Sequence, residues 1–318
     1  MPNKHLEHPE DLILLGMDPN VVLDHLFMVH KLTTKWDGAP SIVFGKHHTS
    51  GRFFVGTKSV FNKRMIKINY SVADIVSNHE GAVAQILTAC FYALPRIEGI
   101  VQADFIGFGG SDRYCPNTIT YKFPSVLKQD VIIAPHTAYN EVSPTAVPIF
   151  GVKLPSTDTC YCIDTETCTL DVPFKVKSLI QAARLLVPFC KFPTSDLRSY
   201  YNKFVREGKT PTASEIYFSL PDKYKCEVNI NTFRLYNLIL NIKDNLLAAI
   251  KVDETVEYLL SDQPTTPEGF VLIGPKYSVK LVNRLEFSQA NFNLSSKIKS
   301  RRSGYKTRVK SRRVRLLW

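Results

Sequence analysis

Nowhere in the 318 residues is there an unbroken apolar run of about eighteen residues, the length a membrane-spanning helix requires. No membrane partnership is expected. The first nine residues are polar and hold no apolar secretory segment, so a cytoplasmic protein is expected. Cysteine is scarce: seven residues, an odd number without framework spacing, which argues for reduced thiols over a disulfide scaffold. Cys160, Cys162 and Cys168 come near a metal-ligand pattern, but no fourth ligand follows at a familiar spacing, and loop or core thiols are the favoured reading. Internal repeats are missing, and low complexity is confined to the C-terminal end.

That end also lacks acidic residues. From Lys297 to Trp318 there are ten Lys or Arg and no Asp or Glu. Taken from the chain totals of 40 basic and 29 acidic residues, this leaves 30 against 29, so nearly all of the +11 net charge sits in the tail. A cationic tail of this kind is expected to track a phosphate backbone, RNA or DNA, and its Tyr305 and Trp318 can stack on bases. The remaining body, in a chain 44% hydrophobic and 22% charged, has the composition of an ordinary globular protein of one large or two modest domains.

Apolar periodicity predicts one or two amphipathic helices over 8–30, with Leu12, Leu15, Val21, Leu23, Leu26 and Val29 as the apolar positions. Strands are predicted over 33–44 and 52–61, joined by a loop at 47–51. A helix follows over 70–94, then strands over 100–108, 118–123, 131–134 and 147–152. Helices are predicted over 176–187, 195–205 and 229–250, with a short one over 252–261. Two strands, 269–273 and 277–282, close the body. Strands at both ends with helices between predict an α+β fold, residues 1–293, with a helical insertion at about 173–262 and the basic tail as 294–318.

Lys35-Trp36-Asp37-Gly38 lies between apolar runs, and Glu268-Gly269-Phe270-Val271 and Lys280 follow at long range. An unprotonated lysine amine can attack the α-phosphate of a nucleotide. A free lysine, with pKa about 10.4, is mostly protonated, and burial or a second cation such as Lys280 lowers that value. Gly38 permits close backbone approach. Asp104 lies in the apolar segment 101–106, where an unpaired carboxylate is costly, which marks it as a site residue. His136, at the end of a strand, either faces the site or is a hydrogen-bonded structural histidine.

These motifs, in this order, resemble those of the covalent nucleotidyltransferase superfamily of polynucleotide ligases and messenger-RNA capping enzymes. More narrowly, Thr33-Thr34-Lys35-Trp36-Asp37-Gly38-Ala39-Pro40, Lys280-Leu281-Val282-Asn283-Arg284 and Phe287-Ser288-Gln289-Ala290-Asn291-Phe292 resemble ligase-like proteins of tailed bacteriophages. The resemblance covers most of 6–293. It implies a ligase-type fold, ATP-grasp-like antiparallel sheets flanked by helices, and, if the chain is phage-encoded, location in the host cytoplasm. It also implies Lys35 as the residue that becomes lysyl-AMP, Lys280 on the α-phosphate, Asp104 on the ribose, and Glu268, with Asp104, on Mg²⁺. Thr34, Asp37, Gly38 and Lys58 would line the ATP site, and Tyr121 or Phe123 would stack on adenine.

Four positions depart from the family pattern. Pro40 and Lys58 stand where arginines are usual, and lysine makes no bidentate phosphate contact. Ser278 replaces the first lysine of a K-x-K pair, and Asp104 is one methylene shorter than the usual glutamate. Only 38 residues follow Lys280, too few for an OB-fold domain, which takes on the order of a hundred. The expected function is ATP-dependent polynucleotide ligation by a monomer, with RNA favoured over DNA because no OB clamp encircles a duplex. Capping-type transfer from GTP and a non-catalytic nucleic-acid-binding protein are the alternatives.

Overall fold

The apolar stretch 33–44, expected as one strand, is two strands in two different sheets, and the architecture follows from that break. The computed structural model describes residues 6–28, 31–253 and 255–284. The basic tail, the 287–292 motif and Val29 lie outside the described residues. Strand Lys31–Lys35 pairs antiparallel with Gly269–Ile273, which pairs in turn with Ser278–Val282. Strand Ser41–Lys46 instead joins a larger sheet ordered Phe53–Thr57, Ser41–Lys46, Ile100–Phe108, Val131–Tyr139 and Ile149–Phe150, with Cys160–Cys162 parallel beside Val131–Tyr139. Residues 36–40 cross between the two sheets. Pro40 cannot donate a ladder hydrogen bond, which explains why a strand does not run through it.

Each sheet has one face given to helices. In the three-stranded sheet Leu32, Phe270, Leu272, Val279 and Leu281 turn into a core with the N-terminal helices Pro9–Ile13 and Pro19–Phe27 and the helices between Phe174 and Ala249. Leu272 and Leu281 are fully buried there, each contributing about 1.5–3 kcal/mol of apolar transfer. The middle helices therefore complete a core with both ends of the chain. In the larger sheet Ile42, Phe44, Val55, Val101, Ala103, Phe105, Val131 and Ile133 pack under helices Val72–Asn78 and Gly81–Ala93 through Ile75, Leu87 and Cys90. Side chains alternate along a strand, so the opposite face of each sheet is left for other use.

Local chemistry sets the helix ends. Asp18 accepts from the Asn20 N–H at 2.8 Å ahead of Pro19, and Ser71 caps the Val72 helix. The 20-residue helix Ile230–Ala249 starts on a capping box of Asn229 and Thr232. The helix expected over 70–94 is two helices, separated at His79 and Glu80 and restarted by Gly81 at φ +58°. The short helix expected over 252–261 is instead strand Glu257–Leu260, in a four-stranded sheet with Gln263–Thr265, Ile119–Leu127 and Ser111–Tyr114. The apolar run Tyr258-Leu259-Leu260 is too short to have a period that separates helix from strand, and cross-strand pairing with Ile119–Leu127 decides it. The protein is thus mixed α+β, built from several antiparallel sheets and helices. Among the described residues, no helix is long and apolar enough to cross a membrane.

Candidate active site

Each residue of the Lys35–Gly38 crossing is fixed by its neighbours, and Tyr121 holds two of them. Trp36, 5% exposed, packs into an aromatic cluster, with ring centroids 4.5 Å from Tyr121 and 5.8 Å from Tyr258. The Asp37 backbone N–H donates to the Tyr121 hydroxyl at 2.8 Å, and its carboxylate accepts from Asn117 Nδ2 at 2.6 Å. A Cβ on Gly38 would stand 2.5 Å from the Phe105 carbonyl oxygen. Gly38 is thus required by the neighbouring strand, where close approach to a nucleotide had been its expected role. The Ala39 N–H donates to Phe105 O at 3.0 Å, and the Phe105 N–H to Pro40 O at 3.1 Å. The crossing thereby docks on the edge of strand Ile100–Phe108.

Register then assembles the charges. Thr33, Val271 and Lys280 form one cross-strand row of the three-stranded sheet, and Lys35 stands opposite Gly269, next to Glu268. The Lys35 ammonium forms an ion pair with the Glu268 carboxylate and lies 4.0 Å from Asp37 Oδ1. The face of the larger sheet turned away from those helices supplies Gln102 and Asp104, which alternate with the helix-facing Val101, Ala103 and Phe105. A bulge in the adjoining strand, where Gln102 stands opposite Thr137 and Ala103 opposite Pro135, leaves His136 as the extra residue. His136 Nε2 lies 3.7 Å from Asp104 Oδ1, and Nδ1 is 2.6 Å from Thr137 Oγ1.

Between the two sheets is a cavity of about 200 Å³. Thr34, Lys35, Lys58, Asp104, His136 and Lys280 all line it, so most of the expected site residues come together from five separate stretches of chain. Burial lowers the Lys280 pKa; nearby Arg284 and Lys35 push the same way, and Glu7 and Asp11 oppose them. Burial raises the Glu268 carboxyl above its ordinary value, partly offset by Lys35. The Thr34 N–H donates to Thr165 O at 2.7 Å, and its hydroxyl is 3.2 Å from that of Thr167.

Tyr121 is the clearest correction. At 1% exposure it lies in the aromatic cluster beside Trp36, not on the cavity wall, and Phe123 is in the same cluster at 4%. Trp36, Tyr139 and Phe150 are the aromatic side chains that line the cavity. Gln102 and Tyr139 were also missed. The Tyr139 hydroxyl donates to Gln102 Oε1 at 2.9 Å, and Gln102 Nε2 donates to Ser41 Oγ at 2.9 Å, a polar floor held in one orientation. The alternation Gln102-x-Asp104 was a readable signal for the first of these; no sequence signal marked Tyr139 or Phe150.

A nucleotide fits the chemistry of this wall. The buried Trp36 indole N–H has no hydrogen-bond partner among the described residues. Three cations, Lys35, Lys58 and Lys280, face one space. No group of three or more His, Cys, Asp or Glu converges among the described residues. Magnesium at phosphates commonly takes one or two carboxylates and completes its shell with phosphate and water; Asp104 offers one on the cavity wall, while Glu268 lines the adjoining cleft and is paired with Lys35. The thiols of Cys160 and Cys162 are buried side by side, Sγ atoms 3.8 Å apart, and all seven cysteines are unpaired.

No curated protein and no solved structure matches the chain. Residues 3–297 match the profile of a family described as of unknown function (DUF6267), and the chain accordingly belongs to that family.

Proposed function

We propose that the protein is a covalent nucleotidyltransferase of the polynucleotide-ligase type, with a ligase-type fold and ATP as its nucleotide substrate. The observation that carries this reading is the convergence of Lys35, Lys58, Lys280 and Asp104 on one cavity, with Glu268 ion-paired to Lys35 at its edge. In the proposed reaction Lys35 Nζ attacks the α-phosphorus, an N–P bond forms, and the bond to the pyrophosphate leaving group breaks. The AMP then passes to a polynucleotide 5′-phosphate, and a 3′-hydroxyl displaces it to seal the strand.

The residues divide this work between them. Glu268 touches the Lys35 ammonium, and burial raises its affinity for a proton, so it is the group placed to take the proton that Lys35 must lose. Lys280 and Lys58 would neutralise phosphate charge as it shifts to the leaving group. Glu268 and Asp104 would hold a magnesium ion, which supplies further charge neutralisation at phosphate. Trp36 and Phe150 offer apolar faces for the base, in place of Tyr121.

The test is incubation with α-labelled ATP or GTP and Mg²⁺, followed by a denaturing gel. Label from ATP that survives denaturation and disappears in Lys35→Ala supports the reading. Label only from GTP shifts it to capping-type transfer. Absence of label from either nucleotide overturns it in favour of a non-catalytic nucleic-acid-binding protein.

A further inference from the structure

The body of the chain is nearly neutral on average, yet residues 38–73 contain six Lys or Arg and not one Asp or Glu. Three of the six are held by protein partners. Lys46 pairs with Glu98 at 2.7 Å, Arg52 lies 4.5 Å over the Tyr70 ring, and Lys67 donates to Asn78 O at 2.6 Å. Lys58, Lys63 and Arg64 have no ion pair among the described residues. Lys58 lines the cavity; Lys63 and Arg64 stand on the exposed loop 62–66 just beyond it.

This loop has a fixed stem and an open tip. Val55 and Asn69 exchange backbone hydrogen bonds of 3.0 and 3.2 Å, and Asn69, fully buried, donates from Nδ2 to Val55 O at 2.8 Å. Gly56 packs beneath, where a Cβ would meet Val60 at 2.4 Å and the Lys67 carbonyl at 3.0 Å. At the tip Met65 is 79% and Ile66 52% exposed, beside the two unpaired cations. Apolar side chains held out in water next to free cations suit a partner that offers phosphates and flat apolar rings together.

We infer that loop 62–66 is a docking surface for a polynucleotide strand, Lys63 and Arg64 meeting its phosphates and Met65 and Ile66 its bases. Distance supports this occupant. The short 3₁₀ turn Lys58–Phe61 and then Asn62 lead from Lys58 to Lys63, no more than about 13 Å of chain. At about 3.4 Å of rise per nucleotide this corresponds to roughly four nucleotides. A strand end held at the cavity thus brings its next phosphates to the loop. The inference rests on the proposed site being where the end arrives.

The experiment is a salt titration of binding between the full chain and a fluorescein-labelled, 5′-phosphorylated single strand, with Lys63→Ala/Arg64→Ala compared against wild type. Loss of two phosphate contacts is expected to reduce the slope of log K against log salt by about 1.4. Both substitutions are at an exposed tip, and the thermal midpoint is expected to stay at the wild-type value. Met65→Ser/Ile66→Ser is expected to weaken binding and leave the slope unchanged. An unchanged slope in the charge variant overturns the inference, as does lost binding to phosphatidylserine vesicles with strand binding intact. Lys35 labelling of the same variant separates the two readings. Label with an unchanged slope removes the loop alone; a reduced slope without label in wild type keeps the loop and removes the transferase.

Discussion

Lys243 and Glu10 form an ion pair at 2.5 Å with both side chains wholly withdrawn from solvent, whereas Lys35 and Glu268 pair with 29% and 14% of theirs still exposed. The buried pair is embedded in further bonds. Arg284 donates to Asp11 at 2.9 Å and lies 3.4 Å from Glu10, and the Tyr236 hydroxyl donates to Asp11 at 2.9 Å. This network ties the first helix to the 20-residue helix and to the residues just past Lys280. The pair at the cavity has fewer partners and an open side. One lysine–glutamate contact holds elements in place; the other can exchange its partner for a substrate.

The sharpest break between the two is functional. Lys35→Ala is expected to abolish covalent labelling while the unfolding free energy changes by about 1 kcal/mol or less, as for other partly exposed pairs. Lys243→Met should do the reverse. It leaves Glu10 buried without its lysine and should cost about 3–5 kcal/mol in chemical denaturation. The double replacement Glu10→Leu/Lys243→Met should recover most of that loss, and a sum of two large penalties would refute the view that this pair only holds elements in place.

Smaller effects sharpen the contrast. Burial lowers the Lys280 pKa in the folded state, so below the ordinary lysine value of about 10.5 the unfolded chain holds this proton more tightly. Stability should therefore rise with pH between the lowered value and about 10.5, and Lys280→Met should lack that increment in a stability–pH difference curve. Smallest is Tyr121→Phe. It removes the hydroxyl that the Asp37 N–H donates to and should cost about 0.5–1.5 kcal/mol in stability, with labelling retained.

Much of the site was legible because its residues are of types that strands rarely bury without cause. Lys35, Asp104, Glu268 and Lys280 stood out as charges within or at the ends of apolar strands, and the fold brings them together. Tyr121 was misplaced because strand Ile119–Leu127 is apolar on the side that meets Trp36, and sequence alternation does not say which face meets core and which meets cavity. The split at 36–40 had a signal in Pro40, but the apolar residues on both sides outweighed it. The charge of loop 62–66 was hidden by averaging, since a body with 30 cations and 29 anions still contains a long stretch with none of the latter.

The three-stranded sheet leaves little freedom to the residues that form it. Leu32, Leu272 and Leu281 answer to the helical core, while their immediate neighbours Thr33, Val271 and Lys280 answer to the cavity. Two selective pressures thus act on one short ribbon with a period of two residues. A single-residue insertion in Lys31–Lys35 or Ser278–Val282 would exchange them, turning a lysine into the core and a leucine into the cavity. Point changes can drift on either face separately, but the spacing of these strands cannot change without losing stability and chemistry at once.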